Sequence, residues 1–320
     1  MPRRSRNAGA GSAQSQGEGA AWAREAEEIK DDAEDGDFAG GGLRGSGQHD
    51  VRTGAHHGVM DYMKVDDGAA TGWLEARLTE FDGTVAGVVP GGFAAYARIL
   101  HPAYRDDVVV AWHEVASANG RAAYALMQWD HIVGARQVHE QPGVWDEAPY
   151  EGNVPEALLR QLAGVLRKHT GTPGNCWFGL WEGWGDSVVG PGDMARFEIP
   201  DREMLLLAGP LETVYRSSLR PGPWGTDDPS VAVASGPESW QPAAPEQPLD
   251  RDPFWRSPNL WWPDDRAWCV ATDIDFTCTY VGGSEACIDA VLTADGIEAY
   301  RAYLIDPVTD ESDHLNPCPA

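Results

Sequence analysis

Asp273 and Asp275, two aspartates spaced by one residue, are the first pair in this sequence whose types and spacing suit chemistry. On a β-strand, residues i and i+2 project from one face, so their carboxylates would stand side by side. Carboxylates so placed bind a divalent cation, or split into an acid and a base once their environments drive their pKa values apart. A second acidic pair, Asp264 and Asp265, lies just upstream, next to the adjacent rings of Trp261 and Trp262. Exposed tryptophan beside carboxylates suits a cation, a sugar or a basic side chain of a partner. The plainer reading puts such rings in the core, whose energetics large aromatics dominate. Trp261-Trp262-Pro263 is the expected exception, because it leaves a proline-rich stretch and both rings are hard to bury together. The plainer reading of the aspartates is solvated surface, in a chain with 50 acidic residues.

Other spellings carry less. Tyr280-Val281-Gly282-Gly283-Ser284 puts glycines before a helix start, where free amides hold anions, but neither GxGxxG nor GxxxxGK[ST] is present. It reads as a tight connection. His113-Glu114 and His139-Glu140 do not extend to HExxH, and there is no GxSxG elbow. Cys269, Cys278 and Cys287 are nine residues apart, which fits no zinc spacing or disulfide framework; with Cys176 they read as reduced, buried thiols. No cofactor is expected, and no motif assigns a catalytic residue.

Charge narrows the partners. With 24 basic against 50 acidic residues, the formal net charge of −26 repels phosphate backbones and anionic membrane surfaces. No apolar run approaches the roughly 18 residues of a membrane span, and no apolar stretch follows Arg3, Arg4 and Arg6 as a signal peptide requires. The expectation is a soluble, cytoplasmic, tryptophan-rich protein.

The elements that must position these residues begin near Met60. Residues 1–59 are rich in Gly, Ala, Ser and charge, with too few apolar side chains to offset the entropy of ordering. They are expected to form a disordered tail, with Met60 or Met63 as the biological start and the upstream part a gene-model extension. A helix is predicted over 69–81, then strands at 84–89 and 93–100 around Pro90-Gly91-Gly92. The segment 111–118 fits helix or strand, and Asn119-Gly120 ends either. The clearest helix runs over 155–169, with Leu158, Leu159, Leu162, Val165 and Leu166 on one face. Strands follow at 176–184, with Trp177 and Trp181 on one face, and as a pair at 195–199 and 203–208; a short helix is predicted at 211–219. Nine prolines mark 220–259 as an insertion or linker. Strands at 267–274 and 276–281, a helix N-capped by Ser284, and a last strand at 297–304 complete a ββαβ segment over 260–305, and 306–320 reads as a flexible tail.

The segments 96–102 (YARILHP), 176–185 (CWFGLWEGWG) and 259–284 (NLWWPDDRAWCVATDIDFTCTYVGGS) resemble an uncharacterised protein family of high-GC actinobacteria, over roughly residues 60–304. The resemblance implies a bacterial cytosolic protein and assigns no functional residues. The expected fold is α+β: a mainly antiparallel sheet with helices on one face, divided into two lobes if the proline-rich stretch pinches it. The expected function is non-enzymatic binding. An acidic, Trp-bearing surface formed by Trp261, Trp262, Asp264, Asp265, Asp273 and Asp275 would meet a basic protein or cationic ligand, as an immunity protein meets a basic toxin by analogy. The alternative is a divalent-metal-dependent hydrolase or transferase using Asp273 and Asp275.

Overall fold

The computed structural model describes residues 67–136, 138–184, 195–200, 202–216 and 256–319. The expected tail, Met60, Met63, Trp255 and most of the proline-rich stretch lie outside them.

Strand-forming runs assemble in chain order as β1 (Ala95–Leu100), β2 (Ala103–Arg105), β3 (Val108–Val110), β4 (Cys176–Trp181), β5 (Arg196–Ile199), β6 (Arg202–Gly209), β7 (Leu260–Pro263), β8 (Cys269–Ala271), β9 (Cys278–Gly283) and β10 (Ala299–Ala302). Eight of them form one antiparallel sheet in the order β10-β1-β9-β8-β7-β4-β6-β5. The other two, β2 and β3, form a hairpin whose turn residues Asp106 and Asp107 hold φ of 49° and 65°, as a two-residue primed turn requires. Strands from before and after the proline-rich stretch interleave: β1 lies between β10 and β9, and β4 pairs with β7. The stretch therefore does not divide the sheet.

Every residue of β1, β7, β8 and β9 is buried, so both faces of the sheet's centre are covered. The helices are α1 (Asp67–Glu75), α2 (Trp112–Ala118), α3 (Trp129–Val133), α4 (Glu156–Leu166), α5 (Thr213–Arg216) and α6 (Glu285–Leu292). Helices α4 and α6 pack on one face, over Ala97, Ile99, Phe178, Trp261 and Val281. The other face is closed by short α1, α2 and α3 with their loops, over Leu100, Trp262, Cys278 and Tyr280. Apolar spacing explains α4: Leu158, Leu159, Leu162 and Leu166 are buried, each contributing about 1.5–3 kcal/mol before entropy losses. Ser284 caps α6, accepting the Cys287 amide at 3.2 Å.

Four readings are changed or settled. The first helix stops at Glu75, and Val85–Gly87 is a 3-10 turn rather than a strand; a short apolar run buries itself equally well either way. The segment 111–118 resolves as a helix. The C-terminal segment is no loose tail: Ser312, Asp313 and Asn316 are buried, and Asp313 accepts from Tyr124 Oη at 2.7 Å and from the Gln128 amide at 3.0 Å. Composition misses such an anchor because it is polar. Among the described residues, no helix is long and apolar enough to cross a membrane.

Candidate functional site

The expected binding surface does not hold together. Trp261 and Trp262 are 0% and 1% exposed. Strand β7 sits inside the sheet between β8 and β4, so alternate side chains enter two covered faces. Trp261 packs edge-on to Trp268 with ring centroids 5.2 Å apart, and Trp262 packs against Trp73 at 5.9 Å and Phe197 at 6.1 Å. Trp177 and Trp181 do share a face, half-buried on the Trp262 side.

The four aspartates fall at opposite ends of β8. Asp264 and Asp265 form the β7–β8 turn. Asp264 accepts from Trp177 Nε1 at 3.1 Å; Asp265 accepts from Thr170 Oγ1 at 2.8 Å and from the amides of Gly171 and Ala267 at 2.7 and 3.2 Å. Both serve to fasten the turn. Asp273 and Asp275 lie in the β8–β9 turn and not on a strand, because β8 ends at Ala271. Asp273 accepts the Asp275 amide at 3.1 Å and receives Arg202 through both guanidinium Nη atoms, at 2.7 and 3.3 Å. A metal would have to displace that ion pair. Among the described residues, no group of three or more His, Cys, Asp or Glu side chains is placed to hold a metal ion.

Asp275 is different. It lines a pocket of about 190 Å³ together with Asp130, Glu151, Asp310, Trp129 and Phe276, and with Arg98 at its inner wall. The three remote segments meet there through backbone fitting. Gly152 donates its amide to Phe276 O at 2.9 Å with φ 65°, and a Cβ on it would lie 2.3 Å from Ile274 O. Only glycine allows this approach, which sets Glu151 beside Asp275. The preceding carbonyl, Tyr150 O, is 2.7 Å from His101 Nδ1. A carbonyl only accepts, so Nδ1 carries the proton. Burial pushes the His101 ring down to about 4, which keeps it neutral, so Nε2 accepts from Thr279 Oγ1 at 2.8 Å, and that oxygen in turn accepts from Thr272 Oγ1 at 2.8 Å. This buried chain ties the start of the β8–β9 turn to the segment bearing Glu151. Asp130 arrives on the first turn of α3, whose entry is fixed by Asp313 and whose end is Gly134 at φ 82°. Arg98, 3% exposed on β1, holds the loop before α3 by donating from Nη1 to Ala125 O and Met127 O, each at 2.9 Å.

Asp310 is paired with Arg136 at 2.9 Å. No hydrogen bond or ion pair engages the side-chain carboxylates of Asp130, Glu151 or Asp275 among the described residues. Asp130 is half-buried, while Glu151 and Asp275 stand more open at the rim. All three are held above the ordinary carboxylate range. Partial burial is the main cause in each, reinforced for Asp130 by Asp310, for Glu151 by Asp275 and Asp130, and for Asp275 by Asp273. The pocket thus gathers several carboxylates around the buried guanidinium of Arg98, beside the rings of Trp129 and Phe276, and its charge stays net negative. Such a site suits an organic cation, which can touch separated carboxylates at once and lie against an aromatic face.

Of the sequence-predicted residues, only Asp275 lies in this pocket. Asp130 and Glu151 carry no local signal, since neither belongs to a motif and both depend on contacts distant in the chain. The chain matches no protein-family model, no curated protein and no solved structure.

Proposed function

We propose that the protein is a binding protein that captures a small organic cation, an ammonium or guanidinium head on a short stem, in the pocket formed by Asp130, Glu151 and Asp275. One observation carries this reading: three carboxylates from three separate segments line one pocket, and no hydrogen bond or ion pair engages them among the described residues. A purely structural role would leave them paired, as Asp265 and Asp273 are. The head group is the shared chemistry of a free amine and of a basic side chain on a partner protein.

Calorimetric titration with 1,4-diaminobutane tests the reading, with 1,4-butanediol as the neutral analogue and an arginine-rich peptide as the macromolecular arm. The diamine or the peptide should bind and the diol should not. Asp275→Asn should weaken binding about tenfold, the loss of one charge-assisted contact, and added salt should weaken it further. Absence of binding by both cations, or affinity unchanged in both Asp275→Asn and Glu151→Gln, would overturn the proposal.

A further inference from the structure

A second cavity, of about 620 Å³, opens where the chain enters β10, and it shares no lining residue with the acidic pocket. Its walls are mainly apolar, with Leu100, Leu158, Ile297 and Val109 among them. Tyr104, His113, Gln161, Glu298 and Tyr300 supply the polar lining. The volume lies in the range of small-molecule sites, roughly 300–1,000 Å³. Val109 on the β2–β3 hairpin is 53% exposed, and neighbouring Val108 is 63% exposed, so apolar surface is left in water around this opening.

The polar groups at this cavity are organised around Glu298. Its carboxylate accepts from the backbone amides of Trp112 and His113, at 2.6 and 3.0 Å, which pins it in place. The same carboxylate lies 3.1 Å from His113 Nδ1. Since a carboxylate accepts, Nδ1 carries the proton, and in the neutral ring Nε2 presents a lone pair. No protein partner for Nε2 is found among the described residues, and the His113 side chain is 60% exposed at the cavity. Tyr300 Oη also approaches Glu298, at 3.5 Å.

We propose that this cavity is a second ligand site, specific for a neutral, largely apolar small molecule whose hydroxyl donates to His113 Nε2. The apolar walls disfavour a cation. Glu298 and the net charge of −26 disfavour an anion. The oriented imidazole supplies the directional contact proposed for the hydroxyl, within a largely apolar pocket with few placed polar groups.

Fluorescence titration with 2-naphthol, naphthalene and 2-naphthoate tests this on the full chain. Saturable 2-naphthol binding is expected, with naphthalene about tenfold weaker, as one hydrogen bond implies, and naphthoate weaker again. Ala157→Trp, at an exposed position of α4 lining the cavity, should abolish 2-naphthol binding by filling the space. Val109→Trp is a second block on the hairpin side, should the first variant fail to fold. His113→Phe keeps a ring and removes the acceptor, so the preference for naphthol over naphthalene should vanish while naphthalene still binds. Asp275→Asn should change none of this. The proposal fails if 2-naphthol does not saturate, if binding persists in a folded blocking variant, or if the hydroxyl preference survives His113→Phe.

Discussion

At one end of β8 the chain places Asp264 and Asp265, and at the other Asp273 and Asp275. The spellings are alike and the physical situations are opposed. Asp265 accepts hydrogen bonds from Thr170 and from the amides of Gly171 and Ala267, so its charge is used within the turn. Asp275 accepts none among the described residues, and faces Glu151 and Asp130 across a pocket. Asp273 stands between the cases, in the same turn as Asp275 yet neutralised by Arg202. The function of a carboxylate in so acidic a chain is therefore set by what engages it and not by its neighbours in sequence. A satisfied aspartate stabilises a turn; an unsatisfied one is available to a ligand.

The largest effect expected breaks the comparison at its hinge. Gly152→Ala would force a Cβ into the Ile274 carbonyl at a backbone conformation that alanine resists. The loss should reach about 3–4 kcal/mol in urea denaturation, at the upper end for single substitutions. Diamine binding should disappear with it even where the variant remains folded, because Glu151 would no longer reach the rim. Retained binding would mean that Glu151 does not belong to the site.

A second effect tests how the β8–β9 end is anchored. His101 sits near pKa 4 in the folded protein through burial, against 6.5 ordinarily. Between those values the unfolded chain binds a proton that the folded one refuses, so this contribution to stability is complete above pH 6.5 and lost as pH falls toward 4. The difference corresponds to roughly 3 kcal/mol. Partly opposing it, the three pocket carboxylates hold protons more tightly when folded, and their effect on stability improves as pH falls through their raised values. Urea midpoints across pH 5–7 stay above the range in which Asp82, Glu182 and Asp313 lose their own contributions. Measured in a chain bearing Asp130→Asn, Glu151→Gln and Asp275→Asn, they separate the imidazole from the carboxylates. A flat profile in that chain would show that His101 is not held neutral.

How far these arrangements were legible in the sequence depends on how locally each is determined. Helix α4 could be read from its leucine spacing and α6 from Ser284, because periodicity and caps act within a turn or two. The β5–β6 pair was similarly visible, its two strands joined at Pro200-Asp201. Burial of both Trp261 and Trp262 was not, because it requires β7 to lie between two other strands with both faces covered, a fact of topology. Asp313 was missed because its contacts, Tyr124 and Gln128, lie more than 180 residues away in the chain. The site was half-legible: Asp275 stood out by its spacing to Asp273, whereas Glu151 joins it only through the close approach at Gly152.

The smallest effect separates the two ends of β8 most sharply, because its sign differs between them. When ionised, Asp130, Glu151 and Asp275 carry charge that the folded state tolerates less well than the unfolded chain, because partial burial raises all three. Removing that charge should stabilise the protein, by about half a kcal/mol per site once solvent screening of the open carboxylates is allowed for. Each of Asp130→Asn, Glu151→Gln and Asp275→Asn should therefore raise the melting temperature slightly and weaken diamine binding. Asp265→Ala should do the reverse, costing about 1–3 kcal/mol through donors left without their acceptor while leaving the diamine affinity unchanged. Cation binding favours the ionised carboxylates, so the wild-type affinity should also rise with pH across their titration range. If neutralising the pocket lowered the melting temperature as Asp265→Ala does, those carboxylates would be serving the fold, and the contrast between the turns would vanish.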